Sequence, residues 1–325
     1  MTSARLPALL PLYDVPVVTG APSTRLGEWK IILAFATVTA IWGSTWIVIR
    51  DQLGPVPPSW SVTYRFLLAG IVMLGFARFR RERLALDAAG WRFALALGAL
   101  QFCLNFNFVY RAEGYITSGL VAVVFALLLI PNSLFGWLLI GQPIRRETLL
   151  GSIIAMTGVG MMIAYQANAT AHSAHALAAG VSLTLLGVLS ASLANILQAT
   201  QTARRYPMVP TLGVAMLLGA ALDAIFAWSL TGPPVIEWRV GYLLGVAYLG
   251  IIASAVAFTL YFGVLRKIGA TRAAYSSVII PVIAMVISTL VEGYRWGPVA
   301  IIGAVLALGG LMLAITARKP ARKSA

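Results

Sequence analysis

The 325-residue chain has a mean hydropathy of +0.88, with 60% hydrophobic and only 10% charged residues. Soluble domains carry about 25% charged residues, so this chain has too little charge to cover a water-facing surface and reads as an integral membrane protein. The formal net charge of +14 would suggest nucleic acid in a soluble protein, but its distribution along the chain ties it to membrane orientation instead.

Residues 1–28 include four prolines and no long apolar core, which reads as a disordered cytoplasmic tail and not as a cleaved signal peptide. Apolar windows follow near 30–50, 58–78, 89–110, 114–139, 146–166, 177–200, 210–230, 239–264, 271–291 and 297–316. A spanning helix needs roughly 20 apolar residues, and irregular or open-edged backbone cannot face lipid. The fold expected is therefore all-α, with ten transmembrane helices. They form one five-helix unit at 29–166, an extracytoplasmic loop at 167–176, a second five-helix unit at 177–316 and a basic cytoplasmic tail at 317–325.

The first window ends in "TAIWGSTWIVIRD", residues 39–51. Lipid-facing surface has no use for Ser44 beside Thr45, and Thr39, Trp42, Gly43 and Trp46 share one face at 3.6 residues per turn. We read Trp42, Ser44 and Trp46 as cavity-facing. The second window holds Arg65. In the third, "FALALGALQFCLNFNFVY", Gln101, Phe102 and Asn105 share a face with Gly98, while Asn107 points elsewhere toward a neighbouring helix. The sixth places Ser192, Asn195 and Gln198 on one face. Amides in hydrocarbon cost several kcal/mol unless paired, so Gln101, Asn105, Asn195 and Gln198 are expected at a hydrated cavity. Tyr248 and Tyr275 offer aromatic walls, and Tyr261 an interfacial anchor.

Pro131 and Pro281, in the fourth and ninth windows, each remove a backbone hydrogen bond and are candidate gating or hinge positions. Arg65 and Asp223 lie at similar depth with opposite sign, as a possible ion pair or coupling group. His172 and His175 both fall in the loop outside. No metal, cofactor or disulfide is expected, since Cys103 stands alone. No GxxxxGK[ST] motif signals ATP.

Of the 24 Lys and Arg, nineteen fall on the side of the termini. Four, Arg50, Arg111, Arg239 and Arg295, fall opposite, and Arg65 lies within a span. Positive-inside bias puts both termini in the cytoplasm. The Arg-heavy, Ala- and Gly-rich composition suggests a bacterial inner membrane.

Shifted by 152 residues, "IGQPIRRETLLGSIIAMTGVGMMIA" (140–164) falls on "EGYRWGPVAIIGAVLALGGLMLAIT" (292–316). Gly141 meets Gly293, Gly151 meets Gly303, Ala155 meets Ala307, Gly158 meets Gly310, and earlier Pro58 meets Pro210. Five spans per copy is an odd number, so the second copy must enter inverted. Inverted repeats build alternating access around a midplane site.

"AIWGSTWIVIRDQLGPVPPSWSVTYRFLLAG" resembles the opening, and "VLRKIGATRAAYSSVIIPVIAMVISTLVEG" the second-half signature, of EamA-type members of the drug/metabolite transporter superfamily. The first carries Trp-Gly-Ser and then Arg65-Phe66; the second carries Gly-Ala, a mid-helix Pro and a closing Glu-Gly. The resemblance covers roughly residues 30–316 and departs from the family at Leu129, where a proline is expected and Pro131 lies two residues on. It implies efflux of amino acids or other small metabolites, and the chain is most similar to the aromatic amino-acid exporters. The partners expected are a small-molecule substrate and the lipid bilayer, with no nucleic acid and no ATP, and a monomer suffices. Sugar-nucleotide, phosphate-ester or cationic-drug transport is the alternative. A lipid-acting membrane enzyme needs carboxylate or His-Asp-Ser constellations that ten scattered acids do not form.

Overall fold

A computed structural model describes residues 25–169, 174–268 and 276–316. Among them the chain is helical, without strands. The long helices are α1 (Arg25–Asp51), α2 (Pro58–Phe79), α3 (Ala88–Ala112), α4 (Ser118–Ile140), α5 (Arg146–Ala169), α6 (Ala174–Ala199), α7 (Met208–Thr231), α8 (Val240–Val264), α9 (Ser276–Val291) and α10 (Pro298–Thr316). Eight of the described helices are long and apolar enough to cross a membrane; Ile279–Val291 and Pro298–Ala314 are shorter apolar stretches. Large apolar side chains along the helices, among them Leu67, Ile71, Leu186 and Val286, are exposed, a contiguous apolar surface that suits lipid.

Local chemistry explains the boundaries. Pro58 opens α2 where no donor is needed, and the Asp87 carboxylate caps α3 by accepting from Gly90 N at 2.8 Å. Gly141 closes α4 at φ 67, and Gly293 follows α9 at φ 69, a left-handed conformation that glycine adopts without penalty. α1 begins at Arg25, inside the segment read as tail. α5 and α6 narrow the expected 167–176 loop, so His175 stands exposed in the first turn of α6 rather than in a loop. His172, Tyr275, most of the N-terminal tail and the C-terminal tail lie outside the described residues.

Two helices widen midway. Gly98–Leu104 in α3 and Tyr248–Val256 in α8 are π-helical, 150 positions apart at their first residues. In α4 a single 3₁₀ turn, Ala126–Leu128, precedes Pro131, which cannot donate to the turn before it.

α2 packs along α7 and α5 along α10. The α5–α10 contact is backbone on backbone: a Cβ on Gly151 would lie 2.4 Å from Gly310 O, and one on Gly158 would lie 2.4 Å from Gly303 O. Because Gly151 corresponds to Gly303 and Gly158 to Gly310, the pairing is reciprocal, as across a two-fold axis. α1 lies against α8 and α9, and α6 against α3 and α4. These elements enclose the central space.

Candidate functional site

A cavity of about 120 Å³ lies among α1, α2, α3, α4, α6, α8 and α9, roughly ten times the volume a single water requires. From α1 it is lined by Trp42, Thr45, Trp46 and Ile49; from α3, by Gln101, Asn105 and Phe106; from α8, by Phe258 and Tyr261. Phe125, Asn195, Pro281 and Arg65 complete the wall.

Each side chain is held in place. Trp42 Nε1 donates to Ala253 O at 3.1 Å, a carbonyl in the π-helical part of α8. Its ring lies 5.2 Å from Phe258 and 4.9 Å from Tyr261. The Trp46 ring lies 5.5 Å from Phe125. Asn195 Nδ2 reaches Asn132 Oδ1 at 3.4 Å. Arg65 is 1% exposed. Its Nε donates to Ser254 Oγ at 3.0 Å, and its guanidinium lies 4.2 Å from the Phe106 ring centre and 5.1 Å from that of Phe66. Three buried polar atoms of the lining have no partner: the donors Arg65 Nη1 and Trp46 Nε1, and the acceptor Asn105 Oδ1.

The expectations divide accordingly. Trp42, Trp46, Gln101, Asn105, Asn195 and Pro281 line the cavity. Ser44 does not: its hydroxyl is 2.8 Å from Tyr248 OH, and the two satisfy each other across α1 and α8, which also takes Tyr248 out of the wall. Phe102 is fully buried against Phe66 and Phe258 at 5.0 and 5.4 Å. The π-helical turn is wider than the α-helical spacing that put it on the face of Gln101 and Asn105. Gln198 lies buried beyond the cavity, one turn past Asn195. Pro131 is buried in α4 and does not line the cavity. Tyr261, read as an interfacial anchor, faces the cavity. Arg65, read as a possible partner of Asp223, lines the cavity instead, and Phe106 and Phe258 were hidden among ordinary apolar residues.

Arg65 and Asp223 do not pair. Asp223 is fully buried in a separate cluster of α2, α3 and α7, where Asn107 Nδ2 donates to its Oδ1. Asn107 Oδ1 in turn accepts from Ser59 Oγ at 2.6 Å and Arg111 Nη1 at 2.7 Å. α2 turns Arg65 toward Ser254 of α8, whereas α7 turns Asp223 toward Asn107 of α3.

On the face bearing the α1–α2, α3–α4 and α9–α10 connections, here the distal face, polar contacts bridge the helices. Tyr110 OH donates to Gln52 Oε1 at 2.9 Å, both residues being buried. Arg50 Nε lies 3.8 Å from Glu292 Oε1, and that carboxylate accepts from Ser118 N at 3.2 Å and Ser118 Oγ at 2.6 Å.

Such a bundle around an aromatic cavity with a few polar groups is the geometry of a solute carrier, and comparison with known proteins places it. The model of the EamA-like transporter family matches residues 29–164 and again 178–316.

The chain belongs to the EamA-like transporter family.

It is a multi-pass membrane protein of transporter type. Among relatives of this EamA-like protein, Protein PagO of Salmonella typhimurium is 23% identical over 290 residues, 89% of this chain and 94% of the relative. The uncharacterized inner membrane transporter YedA of Escherichia coli is 26% identical, over 85% of this chain and 86% of its own length. The uncharacterized transporter YvbV of Bacillus subtilis is 21% identical over 83% and 84%. A solved crystal structure shares the fold with a TM-score of 0.66 at 19% identity, covering 88% of this chain and 96% of that one. These names carry no substrate.

Proposed function

We propose that this EamA-like protein is a secondary transporter exporting aromatic and other apolar amino acids across a bacterial inner membrane by alternating access. In this reading the ten helices are two inverted five-helix repeats, both termini are cytoplasmic, and the distal face is the outer one. The separate family matches to each half, the reciprocal glycine pairing of α5 with α10 and the paired π-helical segments support the repeat. The bias of Lys and Arg toward the terminal side supports the orientation.

The observation that carries the substrate reading is the meeting, in one aromatic cavity, of the unpartnered donors Arg65 Nη1 and Trp46 Nε1 with the unpartnered acceptor Asn105 Oδ1. A free amino acid supplies both complements, a carboxylate for the guanidinium and an ammonium for the amide oxygen. Trp42, Trp46, Phe125 and Phe258 meet the apolar side chain. The site thus has a fixed charge, where the sequence suggested amides alone. One arginine balances one carboxylate; a phosphate ester would call for further cations at the wall. Substrate binding relaxes the wall, and Pro131 and Pro281 are the proposed hinges as α4 and α9 rock between the two access states. Transport is driven by the solute's own gradient.

Uptake of radiolabelled phenylalanine into proteoliposomes, with phenethylamine and 3-phenylpropionate as competitors, tests this. Saturable uptake competed by other amino acids and less well by either one-ended analogue is expected. Failure to take up any amino acid, by protein that remains folded, would pass the assignment to another metabolite class.

A further inference from the structure

Glu113 caps the C-terminus of α3 at the distal face. Its side chain is 0% exposed, and neither carboxyl oxygen has a hydrogen-bond partner. Neither nearby cation hydrogen-bonds its carboxyl. Arg50 donates through Nη1 to the backbone carbonyl of Glu113, not to its carboxyl, and its Nε faces Glu292. Arg65 is held by Ser254 and the Phe106 ring. The remaining charged or titratable groups facing Glu113 are the Glu292 carboxylate, which repels a second negative charge, and the Tyr110 hydroxyl, which is spent on Gln52.

An ionised carboxylate buried without a donor or a paired cation costs several kcal/mol, so this environment holds Glu113 as the neutral acid. Burial first, and then the Glu292 carboxylate, push its pKa well above the ordinary carboxylate range, against the opposing pull of Arg50 and Arg65.

The location gives that proton a consequence. Arg50 ends α1, Glu113 and Ser118 flank the α3–α4 connection, and Glu292 follows α9. The contacts of Arg50 and Ser118 with Glu292 tie the first half of the chain to the second at the distal face. Opening that face must part them, which admits water to Glu113 and frees the Arg50 guanidinium beside it.

We propose that Glu113 is the proton site of a distal gate, protonated while the gate is closed and ionised, with its proton released to the distal solvent, when it opens. The sign follows from linkage. Protonation favours the closed gate, fully so below the carboxyl's pKa in the open state, and that preference is lost as pH rises through the higher pKa of the closed state. The site lies apart from the cavity, and the inference does not depend on the amino-acid reading.

The test needs no substrate. Spin labels on G54C and R295C, both exposed distal positions, in a C103A background report the distal opening by double electron–electron resonance. In the parent, a longer-distance population should grow from mildly acidic to mildly alkaline pH, by up to about tenfold in its ratio per pH unit for one proton. E113Q, a neutral isostere of the protonated acid, should keep the short-distance population at every pH and match the parent's melting temperature at acid pH. A pH-independent distribution in the parent, or a shift in E113Q equal to the parent's, overturns the proposal. So does failure of E113Q to fold, because it would mean that the closed state needs the ionised carboxylate.

Discussion

The guanidinium of Arg65 lies 4.2 Å above the Phe106 ring, and its Nη1 meets no acceptor. Ring faces and one hydroxyl ease the burial of this charge without neutralising it, so a ligand carboxylate completes the site. Hydrogen bonds to charged groups are worth about 1.5–3 kcal/mol, so R65Q should raise the half-saturating phenylalanine concentration roughly 10- to 100-fold. Competition by phenethylamine, which has no carboxylate, should change little. R65K should recover part of the loss, as a point charge without the planar fork. Proteoliposome uptake across a phenylalanine titration measures all three.

Asn107 is the hub of the second buried polar cluster. It donates to Asp223 while accepting from Ser59 and Arg111. N107L leaves the Asp223 carboxylate without its donor and should cost at least about 2 kcal/mol, since an orphaned buried polar group forfeits its full desolvation penalty. D223N keeps the shape and should cost less. Adding D223L to N107L should cost less than the sum of the single changes, because each removes the other's unmet partner. Melting temperatures in detergent read the cycle.

Gly158 and Gly160 lie two residues apart on α5 and predict opposite outcomes. A Cβ on Gly158 would come within 2.3 Å of Ala307 N, whereas nothing lies within 4 Å of one on Gly160. G158A should destabilise by about 1–3 kcal/mol through overpacking, and G158L should abolish monodisperse protein. G160A should be neutral or stabilise by up to about 1 kcal/mol through helix propensity. Fluorescence-detected gel filtration after a heat step separates the variants.

Asp87 accepts from Gly90 N and from the Tyr206 hydroxyl, joining the start of α3 to the α6–α7 connection. The Tyr206 hydroxyl first, then the Gly90 amide, hold its pKa below the ordinary aspartate value. A depressed carboxylate contributes stability that is present above its unfolded pKa and lost as pH falls through the folded one. Y206F should therefore weaken this contribution and move the acid end of the melting-temperature profile to higher pH. D87A should remove it altogether together with the helix cap. A profile unchanged in Y206F would mean the hydroxyl contributes nothing.

The membrane class, the helix windows and the placement of Trp42, Trp46, Gln101, Asn105 and Asn195 were legible because each rests on composition or on local helical periodicity. Eight of the windows are helices long and apolar enough to span, since a span's length is set by the bilayer. Periodicity failed at Phe102 because α3 widens into a π-helix there, a deviation that no residue type announces. Ser44 and Tyr248 were misread for another reason: a hydroxyl inside a span looks the same in sequence whether it faces a ligand or another hydroxyl 2.8 Å away.

The charged residues mark the boundary between the two kinds of information. From sequence, Arg65 and Asp223 were two opposite charges at similar depth, and nothing singled out Glu113. Their roles depended on the rotation of each helix about its own axis and on which neighbours α2, α3 and α7 bring together. Hydropathy constrains neither, because lipid tails and Leu-rich helix faces are alike to it. By itself, the sequence determined that this chain crosses a membrane many times with its basic residues gathered on one side. The tertiary structure alone decided that Arg65 faces a cavity, that Asp223 belongs to Asn107 and Arg111, and that Glu113 is buried with no donor. Those are long-range contacts, and desolvation in them, not residue type, sets what each charge does.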